Sequence, residues 1–147
     1  MQLAGHVTVR RGDCTLYDDH NLVVDSAYEV AVRALLRNDA VRRVLFADLG
    51  GKKVAASLRT LPSVVGSADV GVSGDQRPLI LRDARGRRTI GRWSAVLTAD
   101  RDIAYDTIGL ATGTGLLFSA ASMPRTPLVK GESITVDWTI QLQGNAQ

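Results

Sequence analysis

Cysteine is nearly absent from this 147-residue chain, in which Cys14 stands alone. No internal disulfide is possible, which fits folding in a reducing cytoplasm. Aromatic residues amount to 5%, so the core has to be assembled from Val, Leu, Ile and Ala. Lysine is scarce too: Lys52, Lys53 and Lys130 are the only three among 18 basic residues. Arginine suits fixed, bidentate pairing with carboxylates at interfaces, although GC-rich codon usage produces the same bias. No stretch approaches the ~18 apolar residues of a membrane-spanning helix. The opening MQLAGHVTVRRGD lacks the apolar centre of a signal peptide. Neither membrane contact nor export is expected from these features.

What is present describes a globular chain. Apolar residues make up 45%. A single domain spanning 1–147 buries roughly 68–70% of its unfolded surface at this size, so no metal or disulfide staple is required. The net charge of +3 is too small to argue for nucleic acid as a partner.

Hydrophobic periodicity is mostly that of strands. Residues 133–142, SITVDWTIQL, alternate strictly, with Ile134, Val136, Trp138, Ile140 and Leu142 on one side. HVTVR (6–10) is a short strand, and CTLYDDHNLVV (14–24) is a second, interrupted near Asp18-Asp19. VRRVLFADLGG (41–51) reads as a strand ending at a Gly-Gly turn, while 52–63 is ambiguous and 64–78 is a weak strand or a long loop. PLILRD and TIGRWSAVLTA form a hairpin over 78–99 around the turn 84–88, with Trp93, Ala95 and Leu97 on one face. DTIGLAT (106–112) and GLLFSAAS (115–122) are joined through Gly113-Thr114-Gly115, and a loop follows from Thr126 to Gly131. Only 26–37 carries helical spacing. Ser26-x-x-Glu29 has the form of a capping box, and the large apolar share of the segment predicts that it lies against a sheet. The pattern predicts a mainly β fold, an antiparallel β-sandwich of jelly-roll kind with one α-helix near residues 26–37.

No catalytic constellation emerges. Asp18-Asp19-His20-Asn21 suggests a metal ligand, but no second cluster accompanies it, so a solvated turn is expected and no metal. Cys14 lacks the positive surroundings that activate a thiolate. Gly109 to Gly115 is glycine-rich, yet a strand follows where a phosphate loop needs a helix, so the glycines are assigned to turns and no nucleotide or other cofactor is expected. Arg11-Gly12-Asp13 is short enough to arise by chance. Asp100, Asp102 and Asp106 fall close together and are read as turn residues. The densest basic cluster, Arg82, Arg85, Arg87, Arg88 and Arg92, sits at a predicted hairpin tip and is the candidate interface for an acidic protein partner. The 64–78 stretch is a second candidate contact. Trp93, Phe118, Trp138, Ile134, Val136 and Ile140 are the candidate core anchors.

The order of these features resembles a loose family of small structural proteins of tailed-bacteriophage virions. The matching stretches are Asn21-Leu22-Val23-Val24 leading into the helix, Ile108-Gly109-Leu110, Leu116-Leu117-Phe118, and Lys130 through Ile140. The acid that commonly precedes the Gly-Leu pair has only Asp106 as its nearest counterpart. The resemblance implies a non-enzymatic part of a head, tail or fibre, found in the virion and made in the host cytoplasm. Its expected partners are copies of itself and the major capsid protein or tail proteins. Capsid decoration is the leading expectation. A tail, baseplate or fibre-attachment part comes next, and a carbohydrate- or receptor-binding module after that.

Overall fold

In a computed structural model of the chain, residues 2–36, 38–70, 79–83 and 86–143 are described. Alternation becomes nine strands: β1 (Gln2–Arg11), β2 (Cys14–Val23), β3 (Val41–Ala47), β4 (Val64–Asp69), β5 (Leu79–Asp83), β6 (Gly86–Thr98), β7 (Ile103–Thr112), β8 (Leu117–Leu128) and β9 (Ser133–Gln143), with the helix α1 (Ala27–Leu35) between β2 and β3. Among the described residues every strand pair is antiparallel.

The ladder runs through all nine strands in the order β4-β3-β7-β8-β2-β1-β9-β6-β5. Eight strands, from β4 round to β6, curl until β6 meets β4, which nearly closes a barrel. At this closure Leu97 of β6 and Ile103 crowd the open side of Gly66 in β4, with Leu97 Cδ2 3.4 Å from the position a Cβ would take. β5 lies outside the ring, pairing with the first part of β6 only, from Gly86 to Ile90.

β9 occupies the centre of one wall, paired from Ser133 on with β6 and up to Gln143 with β1. Its apolar face points inward, where Ile134, Val136, Trp138 and Ile140 are buried with Val7 and Val9 of β1. Phe118 is buried from β8. Trp93 is only half-buried, because its ring folds along β6 over Gly91 instead of entering the core fully.

Three expectations are corrected by the local geometry. β2 runs without interruption through Asp18-Asp19, and its irregularity is a bulge at Leu16, the residue left over where Val9 pairs with Tyr17 and Arg10 with Thr15. β8 continues to Leu128, so the loop before β9 is only a short turn closed by Glu132 N–H donating to the Val129 carbonyl at 3.0 Å. The ambiguous segment after Gly51 is an irregular cover. Its Val54, Leu58 and Leu61 pack on the outer face of β3, β7 and β8 against Leu45, Ala111 and Leu117. β7 therefore lies between the core and this cover, and is buried from Tyr105 to Thr112. Gly109 is not a turn residue. A Cβ there would lie 2.7 Å from Leu117 Cδ2 and 3.3 Å from Leu61 Cδ2, so the absent side chain is what lets the cover close.

Candidate interaction surfaces

The predicted basic hairpin exists as β5–β6, with Arg82 opposite Arg87 and Leu81 opposite Arg88. Arg85 lies outside the described residues, as does the 71–78 part of the second candidate contact. Arg92 is exposed further along β6, opposite Thr139 of β9. The outer side of β9 forms the middle of a polar wall. Thr139 is flanked by His6 and Arg92, and Asp137 by Thr8 and Ser94. Asp137 accepts a 2.8 Å hydrogen bond from Arg10 Nη2. Such half-exposed ion pairs contribute at most about 1 kcal/mol.

On the same wall His6 and His20 face each other across β1 and β2, their rings perpendicular at 5.3 Å. His6 Nε2 bonds the Asp18 carboxylate, which Thr8 Oγ1 also supports at 3.2 Å. The hydrogen bond with His6 is the main reason the Asp18 carboxyl lies below its ordinary range. Among the described residues no group of three or more His, Cys, Asp or Glu is placed to hold a metal ion.

Two other carboxylates tie chain segments together. Asp106 lies where the β7–β8 register breaks between Tyr105 and Thr107, which releases its side chain from the alternation. It is buried, and its Oδ1 and Oδ2 accept the backbone N–H groups of Leu49 and Gly51, both at 2.8 Å. Thr107 Oγ1 adds a third bond at 3.0 Å. Burial pushes the Asp106 carboxyl up, but the donated hydrogen bonds outweigh it and leave the group below its usual range. Asp106 thus belongs to a strand, not to the turn with Asp100 and Asp102. Asp102 instead accepts the Lys130 N–H at 2.8 Å. Asp39, in a left-handed conformation at φ 57°, bonds Thr114 Oγ1, Thr112 Oγ1 at 2.9 Å and Arg33 Nη1 at 3.1 Å. Hydrogen bonds led by Thr114 lower its pKa. It fastens the end of α1 to the β7–β8 turn.

A shallow cavity of about 350 Å³ opens beside the Gly50-Gly51 turn, with Leu49, Val54, Ala55, Leu58 and Pro62 as its apolar lining and Lys52 and Lys53 as its basic residues. Its carboxylate, Asp48, is held by Arg125 through Nε at 3.2 Å and Nη2 at 3.0 Å. Cys14 is exposed. Arg11 of the Arg-Gly-Asp stretch is turned back onto the barrel, donating to the Pro127 carbonyl at 2.7 Å.

The helix departs furthest from expectation. Ser26 makes no side-chain cap bond, and its Oγ instead donates to the Leu117 carbonyl at 2.6 Å. Only Ala27 and Val30 of α1 are buried. Tyr28 is 62% exposed, Val32 55%, Leu35 83% and Leu36 73%, so most of the apolar stripe faces away from the sheet. The sequence placed this stripe on a helix, but the expectation that its apolar share lies against a sheet holds only for Ala27 and Val30.

No protein-family model, no curated protein and no solved structure matches the chain.

Proposed function

We propose that the chain is a non-enzymatic structural protein of a tailed-phage virion, a capsid decoration protein that oligomerises and stabilises the head shell. The observation that carries this reading is the exposed apolar face of α1 on a small, tightly tied β fold, added to the sequence resemblance described above. Exposed apolar patches of this kind mark protein contacts. The narrow joint between β2 and β8, only Leu22–Ala120 and Val23–Ser119, separates two halves of the wall. We read the barrel as flattened, which keeps it close to the jelly-roll sandwich of the sequence pattern. Decoration proteins act by adding interface area between shell subunits, and such permanent interfaces bury on the order of 2,000 Å² or more. The polar wall around β9 and the basic β5–β6 hairpin then serve as the surfaces toward the shell.

A tail, baseplate or fibre-attachment role is the second reading, and the same exposed helix supports it. A carbohydrate- or receptor-binding module is the third. Among the described residues the apolar, lysine-rimmed cavity is the feature that supports it, and its lining offers no aromatic platform for a sugar.

Quantitative mass spectrometry of purified particles tests the reading. Hundreds of copies per particle together with binding to empty heads are expected. A copy number near a dozen moves the protein to the tail, and absence from particles overturns the virion assignment.

A further inference from the structure

The orientation of α1 specifies more than a generic contact. From Ser26 to Leu36 the exposed residues are Tyr28, Ala31, Val32, Ala34, Leu35 and Leu36, none of them charged, while the half-exposed Glu29 and Arg33 side chains lie at the margin of this face. At 3.6 residues per turn, Ala31, Leu35, Tyr28, Val32 and Leu36 cover a continuous arc of about 140°. A surface helix normally presents its polar residues to water and its apolar stripe to the core. Here the arrangement is inverted. The two charged residues inside α1 are paired with residues elsewhere in the chain. Glu29 accepts Arg59 Nη2 at 2.6 Å, and Arg33 reaches Asp39 at 3.1 Å. Among the described residues the other exposed large apolar residues, Leu22, Val64, Val96 and Val129, lie in four separate segments of the chain.

We infer that this face of α1 is the contact by which two copies of the chain associate, helix against helix about a two-fold axis. The argument for a second copy rests on charge. In a two-fold contact each patch meets its own image. A patch carrying charge would therefore set like against like across the axis. The uncharged arc of α1 tolerates its own image, because its ion pairs are completed within each copy. Ala31 beside the Tyr28–Val32–Leu35 ridge gives the facing ridge a shallow place to lie. The helix is also held near both ends, by Ser26 on Leu117 and by Arg33 on Asp39, so little order has to be gained on association.

The inference deepens the proposed function by naming the surface through which copies meet, and it relies on that reading only for the premise that many copies work together. Sedimentation equilibrium of the purified chain over a wide concentration range tests it. The wild type is expected to dimerise. Val32→Asp combined with Leu35→Asp should weaken the dimer about a hundredfold or more, since central apolar anchors dominate such contacts. Because both side chains are exposed, the thermal midpoint measured at low, monomeric concentration should be unchanged. In a Cys14→Ser background, Leu35→Cys should cross-link two copies on mild oxidation. A wild type that stays monomeric overturns the inference, and so does a dimer that survives the double substitution. A dimer that never enters particles defeats the virion reading and leaves the helix contact standing. A monomeric protein abundant in particles does the reverse.

Discussion

Asp106 shows how a side chain can be decisive without belonging to any periodic pattern. Its two oxygens accept from Leu49 and Gly51, and so hold the Gly50-Gly51 turn on β7. Asp106→Asn would aim an amide N–H₂ at one of those N–H donors, leaving a part-buried donor unpaired. A loss of about 1–3 kcal/mol is expected, read from urea unfolding at neutral pH. The pH dependence follows from the lowered folded pKa. A carboxyl depressed by folding stabilises the protein above its unfolded value of about 3.9 and loses that contribution as pH falls through the folded pKa. The gap between wild type and Asp106→Asn should therefore narrow in acid below about pH 4; a gap that widens there would contradict the assignment. In the sequence this aspartate opens the predicted strand 106–112 and is still grouped with Asp100 and Asp102 as a turn residue, because its role depends on a register break visible only once β7 and β8 are paired.

At the scale of elements, strands were legible and their surroundings were not. The alternation of β9 identifies its buried face residue by residue, because one side meets a core and the other meets solvent. β7 resists the same reading, since the cover over its outer face buries both sides and erases the alternation. α1 was legible as a helix for the reason that its direction was not: spacing records an apolar stripe without recording what covers it. Its N-terminus makes a further test. If Ser26 acted as a cap, Ser26→Asp would be conservative and Ser26→Ala harmful. The bond to the Leu117 carbonyl requires a donor instead. Both substitutions should therefore destabilise, each by about 1–3 kcal/mol in thermal or urea melts. An aspartate as stable as the serine would restore the capping role.

At the scale of the whole molecule, the pairing order was out of reach of the sequence. Local hairpins such as β5–β6 and β7–β8 announce themselves through turns, whereas β1–β9 and β3–β7 bring together distant segments that no local signal connects. The wall they build is unevenly tied. β2 joins β8 through only Leu22 and Val23, so from Cys14 to Asn21 its outer edge has no ladder partner among the described residues. Amide hydrogen exchange should be fast for the outward N–H groups of this edge and slowest for the Thr135–Ile140 span of β9, which is paired on both sides. Equal protection of the two strands would show that the seam is closed in solution.

The pairing of β1 with β9 also sets how the chain reaches its fold. Val7 lies opposite Trp138, so a wall of the barrel forms only when segments more than a hundred residues apart find each other. Contacts of this separation give slow folding, in the range of milliseconds to seconds, because chain closure must precede the contacts that reward it. Until β9 arrives, β1 and β6 each present an open edge and an apolar face. The arrival of that one strand ends the interval in which the chain is most exposed to aggregation, so the regular alternation of residues 133–142 is as much a kinetic safeguard as a source of stability.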